Sequence, residues 1–82
     1  MPTFMDIHKV EGVSVMDAAK AHKADLETQG KYGAEILKYW FNKETGDVFC
    51  LVDAPSKEAA IQVHREAHGL LPDDITEVVE GH

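Results

Sequence analysis

The 82-residue sequence is short of several residue types, and each shortage excludes a class of protein. It contains one cysteine, Cys50, so no disulfide can form within the chain. Eight basic residues stand against fifteen acidic ones, and a net charge of −7 does not provide the basic surface that nucleic acids and anionic membranes require. No apolar run reaches the roughly 18 residues of a membrane-spanning helix. The six glycines are scattered, so there is no glycine-rich phosphate-binding loop.

The length and the composition predict one small globular domain spanning residues 1–82. Hydrophobic residues make up 44% and charged residues 28%, which is ordinary for a folded protein. The start of the chain lacks the basic and apolar regions of a signal peptide, so we expect a cytoplasmic protein. Ordering each residue costs roughly 1.5 kcal/mol, which a core this small barely offsets. We therefore expect a second chain or a bound metal to add stability.

Hydrophobic periodicity and capping residues predict six secondary-structure elements. Ser14 and Asp17 form an acidic variant of a capping box at the start of the first helix, and Gly30 is expected to end it. The residues expected on the buried face of that helix are Val15, Ala18, Ala19, His22 and Leu26. The predicted elements are strands at 3–10, 34–42, 47–54 and 75–79, helices at 14–30 and 56–69, and a hairpin turn at 43–46.

The order βαββαβ predicts an α+β fold, the ferredoxin-like sandwich, in which a four-stranded antiparallel sheet carries two helices on one face. The other face is left bare, and the third strand is apolar on both sides. An exposed apolar face is typical of a partner-binding surface, so we expect a homodimer with the bare sheet faces packed together or the sheet edges joined. On the first strand, Met5 and Ile7 are expected to face the helices. Asp6 and His8 would then lie on the bare face.

The sharpest chemical feature is a pair of histidines, His64 and His68, one turn apart on the second helix. This spacing lets both imidazoles reach one metal ion. The zinc-protease motif requires a glutamate directly after the first histidine, but Arg65 stands there and Glu66 follows, so we exclude that reading. The alternative is a pair of surface histidines near the negative end of the helix dipole.

Three further residues are candidate metal ligands around this pair. His22 lies on the face of the first helix that is expected to be buried, and Asp25 follows it by three residues. The two helices lie side by side in this fold, so His22 could approach the pair, or it could be a core histidine bonded to nearby backbone. Glu66 is a possible supporting ligand. His82 is expected to be frayed and to bind a metal only opportunistically.

A second candidate group combines Asp6 and His8 with Cys50, because the first and third strands are neighbours in this fold. Carboxylate, imidazole and thiol together suit a borderline metal ion. The same residues could form a Cys–His nucleophile pair in which the imidazole lowers the pKa of the thiol. Cys50 could also simply be a small apolar residue packed in the sheet. Lys38 and Trp40 are expected beside this group on the adjoining strand.

Four segments resemble a family of small bacterial nickel-binding proteins whose best-described members come from actinobacteria. The segments are Phe4-Met5-Asp6-Ile7-His8, residues 21–26 (AHKADL), residues 48–56 (VFCLVDAPS) and residues 63–69 (VHREAHG). The resemblance covers nearly the whole chain and implies a ferredoxin-like fold, a homodimer and surface metal sites, with a role in nickel sequestration or tolerance. The family pattern often has glutamate at the position of Asp53.

The leading hypothesis is a cytoplasmic homodimer that binds Ni²⁺, or another divalent transition metal, through histidine. The candidate ligands are His64, His68, His22, His8, Asp25, Glu66 and Cys50. The alternative is a small dimeric α/β-barrel enzyme, of the cofactor-free monooxygenase or isomerase type. Its pocket would lie on the bare sheet face around His8 and Cys50, with Asp6 and Trp40. A third possibility is a sensing or dimerisation module that acts through partners.

Overall fold

A computed structural model describes residues 1–81 and contains the predicted order of elements. Each predicted element is present, and its ends lie within two residues of the expected positions. A short 3₁₀ helix, Gln29–Tyr32, follows the first helix. The strands are β1 (Thr3–Lys9), β2 (Glu35–Phe41), β3 (Asp47–Asp53) and β4 (Asp74–Val78), and the helices are α1 (Val15–Thr28) and α2 (Lys57–Ala67).

The four strands form one antiparallel sheet in the order β2-β3-β1-β4. β1 lies between β3 and β4, and in this register Asp6 is opposite both Cys50 and Ile75. Cys50 is in turn opposite Tyr39 of β2. This topology, with two helices on one face, confirms the ferredoxin-like α+β fold.

The helix starts are confirmed, and one predicted helix end is wrong. Ser14 forms the capping box with Asp17, and the Ser56 hydroxyl accepts a hydrogen bond from the third residue of α2. Gly30 does not end α1, because the chain continues into the 3₁₀ helix. Gly33 ends that turn with a φ of 66°, a left-handed conformation that glycine adopts without steric cost.

The buried face of α1 differs from the prediction. Its fully buried residues are Ala18 and Asp25, whereas Val15 and Leu26 are 54% and 42% exposed. The helix is turned by about one position, which places the Asp25 carboxylate inside and Leu26 outside. The physical reason is a buried hydrogen bond that Asp25 accepts from α2, described below.

The faces of β1 are also reversed relative to the prediction. Phe4, Asp6 and His8 are buried beneath the helices, and Met5 and Ile7 lie half-buried on the bare face. On β3, Cys50 shares a face with His8, as expected, but this is the helix side and not the bare face. Val52 lies on the helix side too. The apolar core between sheet and helices consists of Phe4, Ala34, Ile36, Val52, Ala54, Ala60 and Val63.

Candidate metal centre

One end of the space between sheet and helices is polar, and it gathers side chains from four elements. β1 contributes Asp6 and His8, β3 contributes Cys50, and α1 contributes Asp25. α2 contributes His64, and His68 is the residue that caps its C-terminal end. Asp6 and His64 are 0% exposed, and Asp25 and His8 are 2% and 5% exposed. Their burial is unusual for charged groups, which are rarely buried without partners.

His64 lies at the centre of this cluster. Its Nε2 is 2.7 Å from Asp6 Oδ2, and its Nδ1 is 3.0 Å from Asp25 Oδ1. Both ring nitrogens therefore meet a carboxylate oxygen at hydrogen-bond distance. The i, i+4 spacing brings His68 beside His64, with ring centroids 5.4 Å apart, and His68 Nε2 lies 3.0 Å from the same Asp25 oxygen. The two helices are thus joined through Asp25.

The partners of His64 decide its charge. Burial disfavours the imidazolium ion and is the largest single influence, but the hydrogen bonds to Asp25 and Asp6 and the charges of the two carboxylates outweigh it. The pKa of His64 is raised from 6.5 to about 9. Burial also raises the pKa of each carboxyl group, yet the hydrogen bonds to histidine more than offset it, and the pKa values of Asp6 and Asp25 are lowered. At neutral pH a cationic ring is therefore held between two anions.

Two buried polar atoms of β1 lack a hydrogen-bond partner among the described residues. They are Asp6 Oδ1 and His8 Nδ1. His8 Nε2 lies 3.1 Å from Asp6 Oδ1, but the contact does not have hydrogen-bond geometry. A buried polar atom without a partner costs about 1–3 kcal/mol, so a ligand that satisfied these atoms would bind favourably.

The structure offers two groups of ligand atoms, each with members within 4.8 Å of one another. The first is Asp6, His8, Cys50 and His64, and the second is Asp25, His64 and His68. Carboxylate oxygen, imidazole nitrogen and thiolate sulfur are all ligands of divalent transition metals. Of the three buried side-chain atoms without a hydrogen-bond partner among the described residues, Asp6 Oδ1 and His8 Nδ1 belong to the first group, and His22 Nδ1 belongs to neither. The residues of the first group therefore fit a metal ion.

Cys50 is a buried thiol beside this cluster. Burial raises the pKa of the thiol, and the negative charges of Asp6 and Asp25 raise it further. The alternative in which a neighbouring imidazole lowers this pKa is wrong, because burial and then the nearby carboxylates disfavour the thiolate. A protonated thiol is a poor nucleophile, but a metal ion can displace its proton and bind the sulfur.

A small cavity of about 50 Å³ reaches the cluster from the surface between α1 and the sheet. His8, Asp25, Cys50 and His68 contribute to its lining, and the remaining walls are mostly apolar, with Leu70 among them. The predicted pocket around His8 and Cys50 therefore exists, but it lies beneath the helices. Its placement on the bare sheet face was wrong because β1 presents His8 to the helix layer.

Several candidate residues lie away from the two ligand groups. His22 lines the cavity and packs against Tyr39, with ring centroids 4.4 Å apart. Glu66 is bonded to Lys31 and Tyr32 on the exposed side of α2. Trp40 is 46% exposed and lies opposite Phe49, on the bare face of the sheet. His82 lies outside the described residues.

Comparisons with known proteins agree with this picture. The family described as nickel responsive protein, SCO4226-like, matches residues 4–78. The chain belongs to this family. A crystal structure of SCO4226 from Streptomyces coelicolor A3(2) is similar to the chain with a TM-score of 0.89 and 32% sequence identity. The alignment covers 98% of this chain and 99% of the other. No curated protein matches the chain.

Membership of the SCO4226-like family confirms the resemblance drawn from the four sequence segments. The family is named for its response to nickel, and the buried cluster provides residues that suit such an ion. Within residues 1–81, no helix is long and apolar enough to cross a membrane.

Proposed function

We propose that the protein binds Ni²⁺ at the group formed by Asp6, His8, Cys50 and His64, and that it sequesters or senses the ion. The observation that carries the proposal is the pair of unpartnered atoms, Asp6 Oδ1 and His8 Nδ1, within this buried group. Imidazole and carboxylate suit Ni²⁺, which stands above Co²⁺ in the general affinity order. The name of the family supports nickel as the ion.

The charges of the cluster favour a divalent cation in place of a proton. In the metal-free protein, the cation between Asp6 and Asp25 is protonated His64. An ion that binds His64 must displace a ring proton, so affinity is expected to rise with pH. The carboxylates of Asp6 and Asp25 then balance the two charges of the ion, and a Cys50 thiolate bound to the ion adds one further negative charge.

The enzyme alternative, in which the cavity beside His8 and Cys50 binds an organic substrate, is less well supported than metal binding. Sites for drug-sized ligands occupy roughly 300–1,000 Å³, and this cavity measures about 50 Å³. The raised pKa of Cys50 also disfavours a thiolate nucleophile. A metal ion fits the available space and chemistry better than a substrate of the enzyme alternative.

We also propose that the protein is a cytoplasmic homodimer formed through the bare face of the sheet. Cross-strand pairing places Ile7 and Trp40 on either side of Phe49, and Met5 beside Leu51. These five apolar side chains form a continuous patch across three strands. Exposed apolar patches of this kind mark interaction surfaces, and a second copy would cover it.

Isothermal titration of the metal-free protein with Ni²⁺ tests the site. We expect Asp6→Asn and Cys50→Ser each to weaken binding at least tenfold, because each removes a ligand or its charge. His22→Gln is the matched control, since it changes a cavity histidine outside both ligand groups. His64 is unsuitable as the test position, because its loss leaves two buried carboxylates unpaired at a cost of about 3–5 kcal/mol.

Replacement of Ni²⁺ by Co²⁺ gives a second readout for the thiol. Cobalt bound to thiolate has a sulfur-to-metal charge-transfer band in the near ultraviolet, which Cys50→Ser should abolish. If Asp6→Asn, Cys50→Ser and the wild type bind Ni²⁺ equally, the assignment of this group is wrong.

A further inference from the structure

The cavity between α1 and the sheet has a largely apolar part that the proposed nickel group does not use. Ala18 and Ala21 of α1 line it on the helix side, and Val48 of β3 lines it on the sheet side. Because alanine side chains are short, the helix leaves space above the strand. The cavity of about 50 Å³ has room for about four water molecules, since one water needs roughly 10–15 Å³ of such space. It therefore suits a ligand much smaller than an ordinary enzyme substrate.

Asp25 is a buried carboxylate in the wall of this cavity, and only one of its oxygens is engaged. The contacts with His64 Nδ1 and His68 Nε2, each 3.0 Å long, are both made by Oδ1. Among the described residues, no hydrogen bond or ion pair is made to Oδ2. Asp25 is 2% exposed and lines the cavity. Its second oxygen is therefore available to a donor group that enters the cavity.

The charged groups around the cavity favour a cation over an anion. Asp17 and Asp25 both line it, whereas none of the described lysine or arginine residues does. In the adjoining cluster one imidazolium, that of His64, lies between the carboxylates of Asp6 and Asp25, so these three groups carry one excess negative charge. A buried charge is costly unless it is paired. A ligand with a single positive charge would balance the excess, and an anion would be repelled.

We propose that the cavity binds a small primary alkylammonium ion, with its nitrogen at Asp25 Oδ2 and its alkyl chain against the alanines of α1 and Val48. Apolar walls hold water poorly, so an alkyl chain that displaces this water binds favourably. The space limits the ligand to about four non-hydrogen atoms, the size of n-propylammonium. This site is separate from the nickel site, because Asp25 does not belong to the group proposed to hold that ion.

NMR titration of the ¹⁵N-labelled protein with n-propylammonium chloride, in the presence of a metal chelator, tests the site. n-Propanol and propionate are the matched neutral and anionic probes. For the cation we expect saturable shifts of the Ala18, Ala21 and Val48 amide signals, with a dissociation constant on the order of 1 mM for so small a ligand. n-Propanol should bind at least tenfold more weakly, because it has no charge to pair with Asp25, and propionate should not bind.

Three variants separate the charge of the site from its shape. Asp25→Asn keeps the shape of the side chain and removes its charge, so it should weaken n-propylammonium binding at least tenfold and leave n-propanol binding within threefold. Ala21→Leu should fill the cavity and abolish binding of both probes. Ala19→Leu is the matched control and should bind like the wild type, since Ala19 is exposed on the same helix and does not line the cavity. Circular dichroism checks that each variant is folded.

Three outcomes would overturn the proposal. They are equal binding of n-propylammonium and n-propanol, shifts that do not saturate and so report only loose association with the acidic surface, and equal binding by the Ala21→Leu and Ala19→Leu variants. Each would leave the proposed nickel site intact, because the titration contains no free metal ion. A failure of the protein to bind Ni²⁺ would in turn leave the alkylammonium site intact.

Discussion

Raising the pH from about 6.5 to above 9 should lower the free energy of unfolding of the metal-free protein, because the folded state holds His64 as a cation. The two carboxylates raise the pKa of His64 to about 9, whereas in an unfolded chain it returns to about 6.5. A group whose pKa is higher in the folded state contributes its full stabilisation below the unfolded value. That contribution is lost as the pH rises through the folded value.

The size of the effect follows from the two pKa values. The difference between about 9 and 6.5, at 1.36 kcal/mol for each pKa unit, corresponds to on the order of 3 kcal/mol. A small domain is stable by only about 5–15 kcal/mol. Protonation of one buried histidine therefore carries a large share of the stability, and its loss is measurable by ordinary denaturation.

Urea denaturation followed by circular dichroism between pH 6 and 9.5, with a chelator and a fixed protein concentration, measures this slope. Asp25→Asn removes one of the two carboxylates, so it should lower the pKa of His64 and flatten the curve. His22→Gln should keep the wild-type slope. The reasoning is refuted if the stability of the wild type stays constant across this range, or if an NMR titration shows His64 titrating near 6.5.

Two further predictions concern acid and assembly. The pKa values of Asp6 and Asp25 are lowered from 3.8, so the two carboxylates stabilise the folded state above that pH and lose this effect as the pH falls below it. Acid unfolding of the metal-free protein should therefore begin under about pH 4. A metal-free protein that keeps its full stability at pH 2.5 would contradict this. Trp40→Lys places a charge on the bare sheet face, so sedimentation equilibrium should show monomers where the wild type forms dimers. A wild type that is already monomeric, or a Trp40→Lys dimer of equal strength, would contradict the proposed interface.

The order and type of the elements were predictable because their signals are local. The serines that begin α1 and α2 satisfy backbone N–H groups within their own first turns. The turn at 43–46 ends at Gly46, whose φ of 82° is left-handed. Such signals involve residues a few positions apart, and a single sequence contains them in full.

The orientation of β1 and α1 was not predictable in the same way. Hydrophobicity alone favours Met5 inside over Asp6, and Leu26 inside over Asp25. The structure reverses both choices because His64 supplies a partner for each carboxylate. These partners are 58 and 39 residues away along the chain, so no local pattern reveals them. The even spacing of Asp6 and His8 with Phe4, an apolar residue on the same face of β1, is the one signal that pointed inward.

The candidate ligands show the same division between local and distant information. The i, i+4 spacing on α2 correctly brought His64 and His68 together, but it did not indicate which one is buried. His64 points into the cluster at 0% exposure, and Glu66 points away to Lys31. His64 and His68 contact Asp25 and not His22 because of the rotation of α1, which is set by tertiary packing.

The polar end of the core argues for a function because it is poorly explained by stability. Replacing a buried ion cluster by well-packed apolar residues is often neutral or stabilising by 1–4 kcal/mol. At its other end this same core is built from Phe4, Ile36, Val52 and Val63, so the fold accommodates apolar packing between these layers. On β1 and α1 the sequence buries a carboxylate where an apolar neighbour would be preferred, and Asp6 Oδ1 still has no hydrogen bond. Such a departure from local hydrophobic preference is typical of a functional site. A carboxylate oxygen without a hydrogen bond favours a cation or a hydrogen-bond donor as the ligand of this site, and the metal titrations test the first of these.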